Sequence, residues 1–89
     1  MKYKMEEMAA SETSFEAKLN MGGTIFDVIF GTHLNGYFCC IPAHGVGCRM
    51  AEPNDTQYNR EQLLGAGLPY PHAREIAIAI RNISQAMQF

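Results

Sequence analysis

The feature that most constrains this chain is a change of apolar period near its middle. From Phe15 to Met50 apolar side chains recur at every second position, whereas beyond Pro71 they recur at every third or fourth. The first pattern builds strands with two distinct faces, and the second builds a helix with one buried stripe. Because the two patterns occupy separate halves, strands and helices segregate. The expected class is α+β, with a four-stranded antiparallel meander covered on one face by a long C-terminal helix and a short helix before it.

The chain has 89 residues, too few for two ordinary domains, so a single α+β domain is expected over 14–89. Residues 1–13 hold charges and small polar groups with little periodicity and read as a leader. An extra edge strand through Tyr3 and Met5 is the alternative there. Phe15, Ala17, Leu19 and Met21 alternate with Glu16, Lys18 and Asn20, the mark of a half-buried strand. Gly22-Gly23 supplies a hairpin turn. The run Thr24 to Phe30 follows, with Phe26, Val28 and Phe30 on one face and Ile25, Asp27 and Ile29 on the other. Apolar groups on both faces imply a central strand, or one whose outer face meets a partner.

Gly31 to Gly36 reads as a loop, Tyr37 to Ile41 as the third strand stopped by Pro42, and Cys48-Arg49-Met50 as a short fourth. Asn59 is the expected N-cap of the short helix, with Gln62 three positions on and a Tyr58–Leu63 staple. Gly65 and Gly67 close that helix, and Pro71 suits the first turn of the long one. Its buried stripe is Ala73, Ile76, Ala77, Ile80, Ile83, Ser84 and Met87. Ile78 falls on the polar side, among Arg74, Asn82 and Gln85.

Charge excludes several functions. Seven Lys and Arg against nine Asp and Glu give a net charge of −2, with no basic run, which is wrong for a nucleic-acid binder. No stretch is apolar enough to span a membrane, and the N-terminus lacks the greasy core of a signal peptide. A cytoplasmic protein is expected. The odd count of three cysteines, two of them adjacent, argues against a disulfide framework.

The segments Gly36-Tyr37-Phe38-Cys39-Cys40-Ile41-Pro42, Gly47-Cys48-Arg49-Met50, Asp55 to Leu63 and Ala73-Arg74-Glu75-Ile76-Ala77 together resemble a family of small proteins, the domain of unknown function DUF6618. That family is associated with gut Firmicutes and their mobile elements. The similarity extends over 22–83. It implies a shared fold and a cytosolic setting, and it supplies no activity. Two positions depart from the pattern: His44 stands where members tend to carry an aromatic residue, and Tyr58 where they tend to carry Trp.

Among chemically competent groups, Cys40, His44 and Cys48 offer three zinc-type ligands, with His33 or Cys39 available as a fourth. The spacing lacks a C-x2-C pair, and neighbouring Cys39 and Cys40 point to opposite faces of a strand, so cysteines packed as small hydrophobes are favoured. A Cys48–His44 nucleophile with the Gly45 and Gly47 amides lacks a convincing orienting group, Glu52 and Asp55 being only nominal. Gly22-Gly23, Gly45-Val46-Gly47 and Gly65-Ala66-Gly67 lack the context of phosphate loops, and no cofactor is expected. Glu6-Glu7 and Glu52 with Asp55 read as solvated surface.

The remaining anomaly is apolar surface on the second sheet face. Ile25, Asp27 and Ile29 are therefore the expected partner-binding residues, and the expected function is a non-enzymatic interaction module that binds a protein or a second copy of itself. A mobile-element setting makes an inhibitor, of the anti-CRISPR kind, one version of it. The alternative is a metal-binding or thiol-dependent protein using Cys40, His44 and Cys48.

Overall fold

Strand β1 (Ser14–Met21) and strand β2 (Thr24–His33) meet at Gly22 and Gly23, whose φ angles of 62° and 89° lie in the left-handed region that a tight hairpin turn requires. A computed structural model describes residues 14–33 and 36–87; the leader, with Tyr3 and Met5, lies outside the described residues. Strand β3 (Gly36–Ile41) and strand β4 (Val46–Met50) complete a four-stranded antiparallel sheet in the order β1-β2-β3-β4. The meander is as expected, with β2 and β4 both longer than expected; β4 begins at Val46 rather than Cys48. β2 runs on through Gly31, Thr32 and His33, which pair with Phe38, Tyr37 and Gly36, where a loop was expected. A turn of 3-10 helix, Pro42–His44, joins β3 to β4, and Gly45 ends it at φ 68°.

Register fixes the two faces. On the inner face Phe15 stands opposite Phe30, Ala17 opposite Val28, Leu19 opposite Phe26, Phe30 opposite Cys39 and Cys39 opposite Cys48. These side chains form one core with Ile41, Val46 and Met50. Two helices cover it: α1 (Thr56–Gly65) contributes Leu63, and α2 (Tyr70–Met87) contributes Ala73, Ile76, Ala77 and Ile80. The expected stripe is buried as far as Ser84, with Ile83 packed at its margin, while Met87 is 55% exposed. The last turn of α2 thus carries an apolar residue outside the core.

The start of α1 differs from expectation. Its N-cap is Asp55, whose carboxylate accepts the Tyr58 amide at 3.1 Å, so the helix opens a turn before Asn59. Asn59 instead lies inside, fully buried. Its Oδ1 accepts the Ala51 amide at 2.7 Å, and its Nδ2 donates to the Glu52 carbonyl at 3.0 Å. The side chain thereby satisfies two backbone groups of the segment that leaves β4. A polar group spent at a cap would have remained near solvent; this one bridges the sheet edge to the helix layer. The other end of α1 behaves as read from its glycines. Gly67, at φ 107°, donates to the Leu64 carbonyl at 3.0 Å, and Leu68 donates to the Leu63 carbonyl at 3.2 Å. This Schellman-type closure buries Leu68. The Ala73 amide then bonds the Pro69 carbonyl at 2.9 Å and starts α2, with Pro71 in its first turn.

Removing the Asn59 carboxamide would leave the Ala51 amide and one lone pair of Glu52 unpaired in the interior. Asn59→Ala should cost about 2 kcal/mol, or roughly 10 °C in Tm for a domain of this size. Thermal unfolding by circular dichroism checks it, and a Tm within about 2 °C of wild type would contradict the bridging role.

Candidate functional site

The outer sheet face holds the three residues expected to bind a partner, and the structure separates them. Ile25 is 56% exposed near the hairpin end. Asp27 stands opposite Lys18 in the register and accepts its ammonium at 2.7 Å. That hydrogen bond, with the carboxylate's charge behind it, raises the Lys18 pKa. Both side chains remain in solvent, so the pair contributes little to stability. Ile29, by contrast, is buried with Phe38 and Cys40 in a second small apolar cluster. Its cross-strand partners in the register are Glu16 on β1 and Cys40 on β3. Buried at only 4% exposure, Ile29 cannot serve as a contact residue. Of the three expected residues, Ile25 and Asp27, the latter paired with Lys18, remain accessible.

The cysteine and histidine candidates are likewise dispersed. Cys40 lies in the outer cluster, whereas Cys39 and Cys48 belong to the inner core. The alternation of the strands, with Cys39 opposite Cys48 and Cys40 opposite Gly47, sends Cys40 and Cys48 to opposite faces. His44, on the 3-10 turn, stacks on Phe26 with ring centroids 4.4 Å apart. His72 meets the same ring edge-on at 5.0 Å. Aromatic packing accounts for both imidazoles, including the departure at position 44, since a flat ring still stacks there. The side chain of His33 lies outside the described residues. Among the described residues, no group of three His, Cys, Asp or Glu is placed to hold a metal.

Thiol chemistry meets an electrostatic obstacle. Burial holds the Cys39 thiol well above its ordinary pKa, and burial also pushes Cys48 up to about 11, with Cys40 adding to the shift. A nucleophilic cysteine needs the reverse. The Cys48 sulfur contacts that of Met50 at 3.8 Å and behaves as a core group.

A different constellation emerges between the helices. Thr56 and Arg60 on α1 face Arg74, Ala77, Ile78 and Arg81 on α2 across a groove of about 210 Å³. The spacing explains the alignment: Thr56 and Arg60 are four apart, and Arg74, Ile78 and Arg81 follow one another at four and three. Ile78, read as an isolated residue on the polar side, is half-buried in the groove wall. The Arg60 guanidinium lies 5.5 Å from the Tyr70 ring centroid, a cation–π contact that restrains its plane. Its Nε is buried without a hydrogen-bond partner in the described structure. An orphaned donor of this kind typically costs about 1–3 kcal/mol. Arg74 pairs with Glu75 at 3.0 Å, and Arg81 donates to Asn82 Oδ1 at 3.3 Å. In the linear sequence these arginines look scattered; the crossing of α1 over α2 gathers them.

Because burial favours the neutral thiol, Cys48 contributes stability that is complete below its ordinary pKa of 9.0 and is lost as pH climbs towards 11. Urea denaturation at increasing pH should show stability falling through that window, and falling less steeply in Cys48→Ala. Identical slopes for the two proteins would show that the thiol is not held neutral by the core.

No helix among the described residues is long and apolar enough to cross a membrane. No curated protein and no solved structure is significantly similar to the chain. A family model does match, over residues 2–88, nearly the whole length. The segments read above as a resemblance lie within that match, and the chain belongs to the family of unknown function DUF6618.

Proposed function

We propose that this protein is a small non-enzymatic interaction module that engages a protein partner through the outer surface of the β1–β2 hairpin. The observation that supports this reading is the 56% exposure of Ile25 beside the exposed Lys18–Asp27 pair. Full burial of an isoleucine yields roughly 1.5–3 kcal/mol, so a half-exposed one retains about 1 kcal/mol for a partner. An apolar anchor with a charged rim is the common layout of small interfaces, in which the anchor supplies affinity and the rim fixes orientation. A complementary partner offers an apolar recess for Ile25 and reversed charges opposite Lys18 and Asp27. Cysteines held neutral by burial, and ligands spread over two faces, weigh against the metal-binding or thiol-dependent alternative. An inhibitor carried by a mobile element, of the anti-CRISPR kind, is the form of such a module that the family association suggests.

Replacing Ile25 with a photo-crosslinking phenylalanine analogue in cells that naturally encode the protein provides the test. A discrete adduct is expected from position 25, lost when Asp27→Lys is added, and absent when the analogue is placed at exposed Glu61 on α1. An adduct of twice the protein's mass would identify the partner as a second copy. The same adducts from positions 25 and 61 would defeat the assignment.

A further inference from the structure

We propose that the groove between α1 and α2 is a binding site for a phosphate-type dianion, carried as free phosphate or as the phosphoryl group of a small ester. This site is independent of the hairpin surface. Three of the chain's seven basic residues, Arg60, Arg74 and Arg81, line a single groove of about 210 Å³ on a protein whose net charge is −2. Arginines do not relieve mutual repulsion by losing a proton, so their gathering calls for a counter-charge. Among the described residues, ion pairing supplies only part of one: Glu75 holds Arg74 at 3.0 Å, whereas Arg81 meets the neutral Asn82 amide oxygen at 3.3 Å. Three cations against one carboxylate leave the balance of a dianion.

Geometry narrows the ligand further. Guanidinium groups present planar forks that match the oxygens of phosphate and carboxylate alike. Here Arg60 and Arg81 line the groove from different helices, and Thr56, a hydroxyl-bearing residue, lines it as well. Donors converging from several directions suit a tetrahedral oxyanion better than a flat carboxylate. The Arg60 guanidinium is already held 5.5 Å from the Tyr70 ring centroid, so closing on an oxyanion costs it less side-chain freedom than a free arginine would lose. Ala77 and Ile78 line the same groove, and their apolar walls strengthen charge-assisted hydrogen bonds by lowering the local dielectric.

The site is tested by titrating the full chain, at constant ionic strength, with inorganic phosphate, phenyl phosphate and acetate, following the arginine Nε–H resonances by NMR. Saturable shifts at Arg60 and Arg81 are expected with both phosphates and not with acetate. Tighter binding of inorganic phosphate would assign the free ion, and tighter binding of phenyl phosphate an ester. Arg81→Ala should weaken phosphate binding about tenfold, the loss of one charge-assisted contact. Arg60→Lys, which keeps the charge and removes the fork, should weaken it comparably while leaving the circular dichroism spectrum unchanged. Non-saturating shifts, equal binding of acetate, or wild-type affinity in both folded variants would overturn the proposal.

Discussion

The structure depends on one buried carboxamide. Asn59 takes the Ala51 amide at 2.7 Å and gives a hydrogen to the Glu52 carbonyl at 3.0 Å, against a core built mainly from apolar side chains. At this point the chain leaves the sheet edge and turns back over it, which leaves part-buried backbone groups outside any strand or helix ladder. An apolar residue would fill the space and leave the Ala51 amide unpaired and the Glu52 carbonyl with one partner fewer. Asn carries both a donor and an acceptor on a short stem, so it serves both with little loss of side-chain entropy. Glu52 also accepts the Asp55 amide at 2.9 Å, so one carbonyl fastens both the turn and the helix.

Everything on the helical side follows from that attachment. With α1 fixed to the exit of β4, Leu63 is directed into the core and the next residue after Asn59, Arg60, is directed towards α2. The short connection after α1, closed by the Gly67 and Leu68 amides, then sets where α2 begins. The arginine groove is thus a consequence of backbone hydrogen bonding at both ends of α1. The hairpin surface depends on none of this. It is formed by local pairing across Gly22-Gly23, and its exposed Ile25 and Lys18–Asp27 pair project from strands whose other faces are buried. The two regions can therefore act separately.

The sheet was largely legible in the sequence because alternation is a local signal and the chain's turns use glycine where φ must be positive. The inner face from Phe15 to Met50 and the α2 stripe from Ala73 to Ser84 came out as the period alone suggests. The extension of β2 through His33 was not legible because Gly31 reads as a turn residue, and three further features were not legible, each for a physical reason. Asp55 and Asn59 are equally good capping residues, and only the need for a polar bridge at the end of β4 decides between them. Ile29 was expected in solvent because alternation tells which face a residue occupies and not whether that face is covered; it is buried with Phe38 and Cys40. Arg60, Arg74 and Arg81 converge through a helix crossing, which no spacing within one element encodes. A signal was nevertheless available: Arg74 and Arg81 are seven apart, two helical turns on one face, and Thr56 and Arg60 are one turn apart.

The most direct test of this account is native-state amide exchange at Ala51. That residue belongs to no strand or helix, and among the described residues its amide is held by the Asn59 side chain alone. If the carboxamide is the attachment on which the helical layer depends, the Ala51 amide exchanges only through global unfolding. Its opening free energy then lies within about 1 kcal/mol of core strand amides such as that of Cys39. Exchange as fast as at Gly23, whose amide is bonded to the exposed Asn20 side chain at 3.1 Å, would contradict it.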